Sequence, residues 1–276
     1  MRQIEDLWKI KLQTKENKPL IHCIANPISI TQCANIVLST GSKPIMAEHP
    51  MEVESITLSS DALCVNLGNI TDARIESIYK SGTTAYENNI PHIIDVVGVG
   101  CSQLRLEFAK KYIKDTKPTV IKGNNSEILS LLDLSSNARG VDVGDEDKIN
   151  DKNINKSIDL AKSLSLKTKS VVMVSGRYDI ITDGYKTFIV LNGTSMLSDI
   201  TGTGCMLNTL IGSFLPIASG AYASLLGVLI LTISSQLCKD YKGNMSFLME
   251  LMDNVYSLDF NCFKSLANFK EVNDEF

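Results

Sequence analysis

HIIDVVGVGCSQLRLEFAKKYIKDTKPTVIKGNNSEILSLL, residues 92–132, decides how this chain folds. Two short runs rich in Val and Ile, 92–97 and 119–122, read as strands, and each leads into a longer stretch of helical spacing, 103–114 and 125–132. Apolar strands that alternate with helices belong to a parallel sheet covered on both faces. The same rhythm continues outward from this unit. It predicts further strands over 19–24, 43–46, 62–66 and 170–175, and helices over 30–39, 51–59, 71–88 and 152–166. The expected fold class is α/β, three layers in α/β/α order, with a mostly parallel central sheet flanked by helices.

Beyond residue 175 the pattern changes. IITDGYKTFIVL (180–191) sets two β-rich runs around Asp183-Gly184, a pair suited to an antiparallel hairpin, so a mixed sheet edge is expected. From Gly204 onward the chain reads as nearly all helical, with Pro216 and Gly220 separating successive helices. The N-terminal residues 1–20 read as an opening helix, neither a signal peptide nor an acidic-poor transit peptide. The acidic, Gly-containing stretch 135–152 reads as a surface loop or lid rather than a boundary, and no repeat is visible, so one domain over 1–276 is expected.

Composition bounds the function. With 276 residues, 44% of them apolar and 21% charged, the chain is globular and long enough for an enzyme core. A net charge of −4 lacks the basic footprint of a nucleic-acid binder. The seven cysteines are odd in number and never spaced C-x-x-C, which argues against a disulfide framework or zinc site and for free thiols in a reducing cytoplasm. Residues 221–238 carry no charge over 18 positions, near the lower limit for a membrane span, but six Ser, Thr, Gln or Tyr residues favour a helix buried in a core or subunit interface. No membrane partner is expected.

DITGTGC (199–205), followed by an apolar helical run, is the most informative motif. Its two glycines let the backbone turn tightly and present successive N–H groups at a helix N-terminus, where the macrodipole also favours an anion such as phosphate. The alternative is a Gly-rich loop that merely starts a helix. There is no Walker-type G-x-x-x-x-G-K-[ST] and no G-x-G-x-x-G between strand and helix, but phosphoryl transfer does not require either. Polar residues stand where strands should end, the ligand-gathering positions of open α/β sheets: Asn26, Asp95, Lys122 to Glu127, and Ser175-Gly176. Asp95 and Glu127 could hold Mg²⁺ through water. Taken alone, Asp95 could instead cap a helix, and Glu127 could lie in a first turn near the positive dipole end.

Taken together, PLIHCIANPISITQCAN (19–35), PIMAEHPMEV (44–53), ALCVNLGNI (62–70), IIDVVGVGCSQLR (93–105), PTVIKGNNSEI (118–128), VVMVSG (171–176), the TDG turn and DITGTGCML (199–207) resemble hydroxyethylthiazole kinase. The resemblance runs over residues 1–265 in order and spacing. It implies a ribokinase-like fold, a homotrimer with active sites between subunits, and ATP-dependent phosphorylation of 4-methyl-5-(2-hydroxyethyl)thiazole in thiamine salvage. It further implies substrate contacts from Met46, Gly202 and Asn26, and ATP contacts from Lys122, Ser175, Thr203 and Gly204. Asp95 and Glu127 would organise Mg²⁺ and phosphates, Gly202 to Cys205 the anion hole, and Cys205 would stand beside the reacting hydroxyl. At the N-terminus of its helix Cys205 is expected to have some thiolate character and either to deprotonate the alcohol or only to orient it. Met46 rests on the resemblance alone.

Several positions depart from the family's usual pattern: Lys122 for Arg, Ser175 for Thr, Val96 for the proline of DPVG, Ala25 for Thr, and Thr194 for His. Lys offers phosphate a point charge where Arg offers a bidentate fork, so nucleotide affinity is the property at stake. Two rivals share parts of the pattern. A kinase of the same fold for a hydroxymethylpyrimidine or sugar would share the anion loop but not the PIMA and IHCIAN segments, and a non-catalytic nucleotide-binding protein would account for Lys122.

Overall fold

The computed structural model describes residues 2–134 and 149–273. Its elements in chain order are α1 (Arg2–Asn17), β1 (Leu20–Ile24), α2 (Ile30–Ser39), β2 (Lys43–Ile45), α3 (Val53–Leu58), β3 (Ala62–Asn66), α4 (Asp72–Glu87), β4 (His92–Asp95), α5 (Gln103–Thr116), β5 (Val120–Asn124) and α6 (Asn125–Leu131). They continue with α7 (Ile154–Thr168), β6 (Val171–Ser175), β7 (Asp179–Thr182), β8 (Lys186–Val190), α8 (Thr203–Phe214), α9 (Gly220–Leu237), α10 (Asn244–Ser257), α11 (Phe260–Leu266) and β9 (Phe269–Asn273). Most of the predicted stretch 135–152 lies outside the described residues.

The strands form one sheet in the order β2-β1-β3-β4-β5-β6-β7-β8-β9. Pairing is parallel from β2 through β6 and antiparallel from β6 through β9. The alternation of side chains explains why the strands look uniformly apolar. Ile21, Cys23, Cys64, Ile93 and Val120 face a core built with α8 and α9, whereas Ile24, Leu63, Val65, Ile94 and Ile121 face a core built with α4 to α7.

Helix starts follow local chemistry. Thr71 caps α4 by accepting from Arg74 N–H, Ser102 caps α5 by accepting from Arg105 N–H, and Asn124 caps α6. On the opposite face α8 approaches the sheet through Gly212, where any Cβ would stand 2.0 Å from Cys64 Sγ. The uncharged 221–238 segment becomes α9, with 83% of it buried. Its apolar surface is consumed inside the subunit, which answers the choice between core and interface.

The end of the chain differs from the sequence expectation. Residues 269–273 are not helical but form β9, antiparallel to β8. Phe269 packs against the core and meets Phe188 at 6.3 Å between ring centroids, while Lys186 pairs with Glu271 at 3.3 Å. The charges in FKEVN conceal the strand, because an edge strand needs only one apolar face.

Candidate active site

The carboxyl ends of β1 and β3 to β6 and the N-terminus of α8 meet at one end of the sheet. Asp95 closes β4 and lies in register with Lys122 of β5 on one side and Asn66 of β3 on the other. Lys122 Nζ stands 3.0 Å from Asp95 Oδ2, and both side chains are buried. Asn66 Nδ2 donates to Asp95 Oδ2 at 2.9 Å and to Cys205 Sγ at 3.4 Å. Asn66 Oδ1 accepts the Gly68 N–H at 2.8 Å, which fixes which way the amide points. Asp95 therefore ends a strand and an ion pair; it caps no helix.

Burial pushes the Asp95 carboxyl up, and Lys122 and Asn66 pull against that rise. Burial also opposes the Lys122 charge, but Asp95 outweighs it and holds the ammonium above its ordinary value. Each charge has its counter-charge at hydrogen-bond distance, so the pair is an ion pair.

Glu127 is the N3 residue of α6 and forms a capping box with Asn124. Its Oε2 accepts from Asn124 N–H at 2.7 Å and its Oε1 from Gly98 N–H at 2.8 Å. Burial, then the charge of Asp95, pushes its pKa up to about 7. Glu127 is thus both the first-turn acid of α6 and an electrostatic neighbour of Asp95.

α8 starts at Gly202, whose φ of +97° is left-handed and whose Cβ, if present, would stand 2.8 Å from Ser29 Cβ. The first intrahelical bond runs from Met206 N–H to Gly202 O at 2.8 Å, and the amides of Thr203, Gly204 and Cys205 find no acceptor among the described residues. Thr203 Oγ1 is turned away, donating to Leu197 O at 2.7 Å, so only its backbone can serve an anion. A Cβ on Gly204 would lie 3.6 Å from Lys122 Nζ, which places a cation beside the free amides. Dipole, donors and charge together suit such a terminus to an anion.

Cys205 is partly exposed at this terminus. Burial, then Asp95, raises its thiol above the ordinary value, and Ser29, Lys122 and Asn66 only partly offset the rise. Burial and the neighbouring carboxylate thus work against the expected thiolate character.

Asn26 and Gly202 flank this cluster on the β1 side. Asn26 Oδ1 accepts from Ile28 N–H at 3.1 Å, and a Cβ on Gly68 would lie 2.3 Å from Asn26 Nδ2. Ser175 ends β6 in register with Asn124 and donates to Gly123 O at 3.4 Å. Met46 follows β2, separated from β4 by β1 and β3, and stands apart from the charged cluster, half-buried against the core. Sequence reasoning passed over Asn66, Ser29 and Asp179. Asn66 carries the same signal as Asp95, a polar residue closing an apolar strand. Where the family has proline, Val96 N–H donates to Lys122 O at 2.9 Å, a bond proline cannot make. Thr194 Oγ1, at the family's His position, is buried with no partner among the described residues. A recess of about 350 Å³ beside the start of α5 is lined from Val99 onward, next to the Gly98 that bonds Glu127, whereas one of about 590 Å³ between α1 and the α8–α9 connection lies away from this cluster.

A largely parallel α/β sheet that gathers a buried Lys–Asp pair, a buried first-turn Glu and a helix N-terminus at one end suits a small-molecule phosphotransferase. Similarity to known proteins agrees. The sequence matches the hydroxyethylthiazole kinase family over residues 12–261. It is 50% identical over 250 residues to hydroxyethylthiazole kinase 2 of Clostridium botulinum strain Langeland, covering 91% of this chain and 94% of that one. It is 38% identical over 267 residues to hydroxyethylthiazole kinase 1 of Methanosphaera stadtmanae, covering 93% and 94%. The fold superposes on the solved hydroxyethylthiazole kinase protein of Pyrococcus horikoshii OT3 with a TM-score of 0.88 and 27% identity over 98% of this chain and 100% of that one. The pyridoxal kinase of Staphylococcus aureus in complex with ADP shares the fold, with a TM-score of 0.65 at 15% identity over 92% and 99%. The chain belongs to the hydroxyethylthiazole kinase family and is a kinase of ribokinase-like fold.

Proposed function

We infer that the protein transfers the γ-phosphoryl group of ATP to the primary hydroxyl of 4-methyl-5-(2-hydroxyethyl)thiazole, giving the thiazole phosphate used to make thiamine diphosphate. The observation that carries this reading is the meeting of three free amides at the start of α8 with Lys122 Nζ and Cys205. Phosphoryl transfer asks for positioning and charge stabilisation more than for covalent chemistry, and this is where such charge would be met. Lys122, Ser175 and the Thr203 and Gly204 amides contact the nucleotide. Asn26, Gly202 and Met46 contact the thiazole side.

Asp95 and Glu127 are the residues that would hold Mg²⁺. Both are buried acids, and both Glu127 oxygens already accept backbone N–H groups, so the fit is to a cation that keeps several waters. When bound, that cation supplies neutralisation of phosphate charge. Cys205, as a neutral thiol, orients the acceptor hydroxyl and is not its resting base. The whole chain serves as one domain and works in the cytoplasm. We propose a homotrimer with sites between subunits; exposed Ile28, Leu38, Met245 and Met249 around α2 and α10 supply apolar surface for it.

A panel of alcohols with Mg-ATP and an ADP readout tests the substrate. The thiazole alcohol is expected to give the highest kcat/KM. A hydroxymethylpyrimidine or a sugar giving more, or no alcohol giving turnover, would overturn the reading.

A further inference from the structure

One buried charge takes no part in the phosphate cluster. Arg74, in the first turn of α4, is 3% exposed. Its Nη1 donates to Ala25 O at 2.9 Å and to the Glu48 carboxylate, and its Nη2 donates to Asn66 O at 3.1 Å. Its Nε is buried with no partner among the described residues. The acceptors come from three separate pieces of the sheet end: the residue before Asn26, the residue that closes β3, and the segment after β2 that carries Met46.

The same face of α4 holds that last segment twice more. Ser77 Oγ donates to Glu48 O at 2.7 Å, and Lys80 Nζ donates to Pro50 O at 3.2 Å. Positions 74, 77 and 80 follow one another at i, i+3 along the helix, so residues 48–50 lie as a strap along α4. A guanidinium suits such a junction, because its planar fork can meet two carbonyls and a carboxylate at fixed angles. A hydrophobe of similar volume would fill the space without fixing those angles, and burying a charge is no route to stability in itself.

We propose that Arg74 is the positioning residue for the acceptor half of the site: it holds Asn26, Asn66 and the Met46 segment in one fixed relation. This assignment rests on the kinase reading for its account of the acceptor. Asn66 transmits the placement further, since its side chain reaches both Asp95 and Cys205. Arg74 itself touches none of the reacting groups.

The test is the double variant Arg74→Met/Glu48→Gln, which removes the buried charge together with its partner and leaves no unpaired charge behind. With circular dichroism unchanged, KM for the alcohol is expected to rise about 10-fold or more while KM for ATP stays within about 2-fold. Arg74→Lys should recover part of that loss, since one ammonium can still meet Glu48 and a carbonyl. Hydrogen exchange of the same double variant should quicken at residues 25–28 and 46–52 and stay unchanged in β5 and β6. Equal rises in both KM values, unchanged KM values in a folded variant, or quickened exchange spread over the whole sheet would each overturn the proposal. Should the double variant not fold, Glu48→Gln alone, at a side chain 44% exposed, reads the strap. It should raise KM for the alcohol about 3-fold, and no change in KM or in exchange at 46–52 would overturn the proposal. Lack of turnover by the wild-type protein would remove the thiazole assignment, and the exchange pattern would still decide Arg74.

Discussion

Lys122 and Asp95 face each other across β4 and β5 with neither open to water, so each depends on the other. Lys122→Met leaves a buried carboxylate unpaired and is expected to cost about 3–5 kcal/mol in denaturant unfolding, whereas Lys122→Arg should keep the fold. The two buried acids with pKa values near 7 have a different consequence. Burial first, against an opposing Gly176 N–H and Lys122, lifts Asp179 to about 7, and Glu127 is lifted to about 7 as well. A carboxyl raised on folding binds its proton more tightly in the folded state. Its contribution is fully present below the unfolded value and is lost as pH rises through 7. Between pH 5.5 and 8 these two acids lower the melting temperature, while the buried His22 and His92, held below their ordinary values, raise it. Asp179→Asn should therefore remove part of the lowering, and an unchanged difference between the two pH values contradicts the assignment. If Glu127 holds the cation as proposed, proton and cation compete for it, and Mg-ATP affinity, read by calorimetry, should rise across the same range. The identities at this scale were legible because polar residues closing apolar strands are conspicuous. The protonation state of Cys205 was not, since Asp95 and the burying elements reach it only through the fold.

The start of α8 takes the form proposed for anion binding because Gly202 accepts a left-handed φ and lets Ser29 approach. Gly202→Ala adds a Cβ on that strained backbone against Ser29 and should cost about 1–3 kcal/mol, with loss of turnover through displaced amides. A variant that keeps both full stability and full activity would show that this terminus tolerates movement. The GTG loop before an apolar helix was legible because its glycines have few other uses at that spacing. The roles of Asn66, Ser29 and Arg74 were not, since they depend chiefly on partners that only the fold brings close: Cys205 for Asn66, Gly202 for Ser29, and Ala25 and Glu48 for Arg74.

Across the whole molecule, the parallel half of the sheet was readable from its βα rhythm, and the β7–β8 hairpin from Asp183-Gly184. β9 was hidden by Lys270 and Glu271, and becomes a strand only because β8 offers an unpaired edge. Truncation after Asn268 re-exposes that edge and should lower the melting temperature and promote aggregation at constant concentration, with no direct effect on the distant strand ends. The burial of α9 was legible in its composition, but whether it lies in the core or at an interface was not, because a core helix and an interface helix are equally apolar. The central proposal is that the sheet, the α8 terminus and the Lys122–Asp95 pair together serve transfer of a phosphoryl group to an alcohol. The most direct measurement is ³¹P NMR of the protein with Mg-ATP and the thiazole alcohol. A phosphate monoester growing in step with ADP is the result expected; inorganic phosphate without monoester, or no change in ATP, would contradict it.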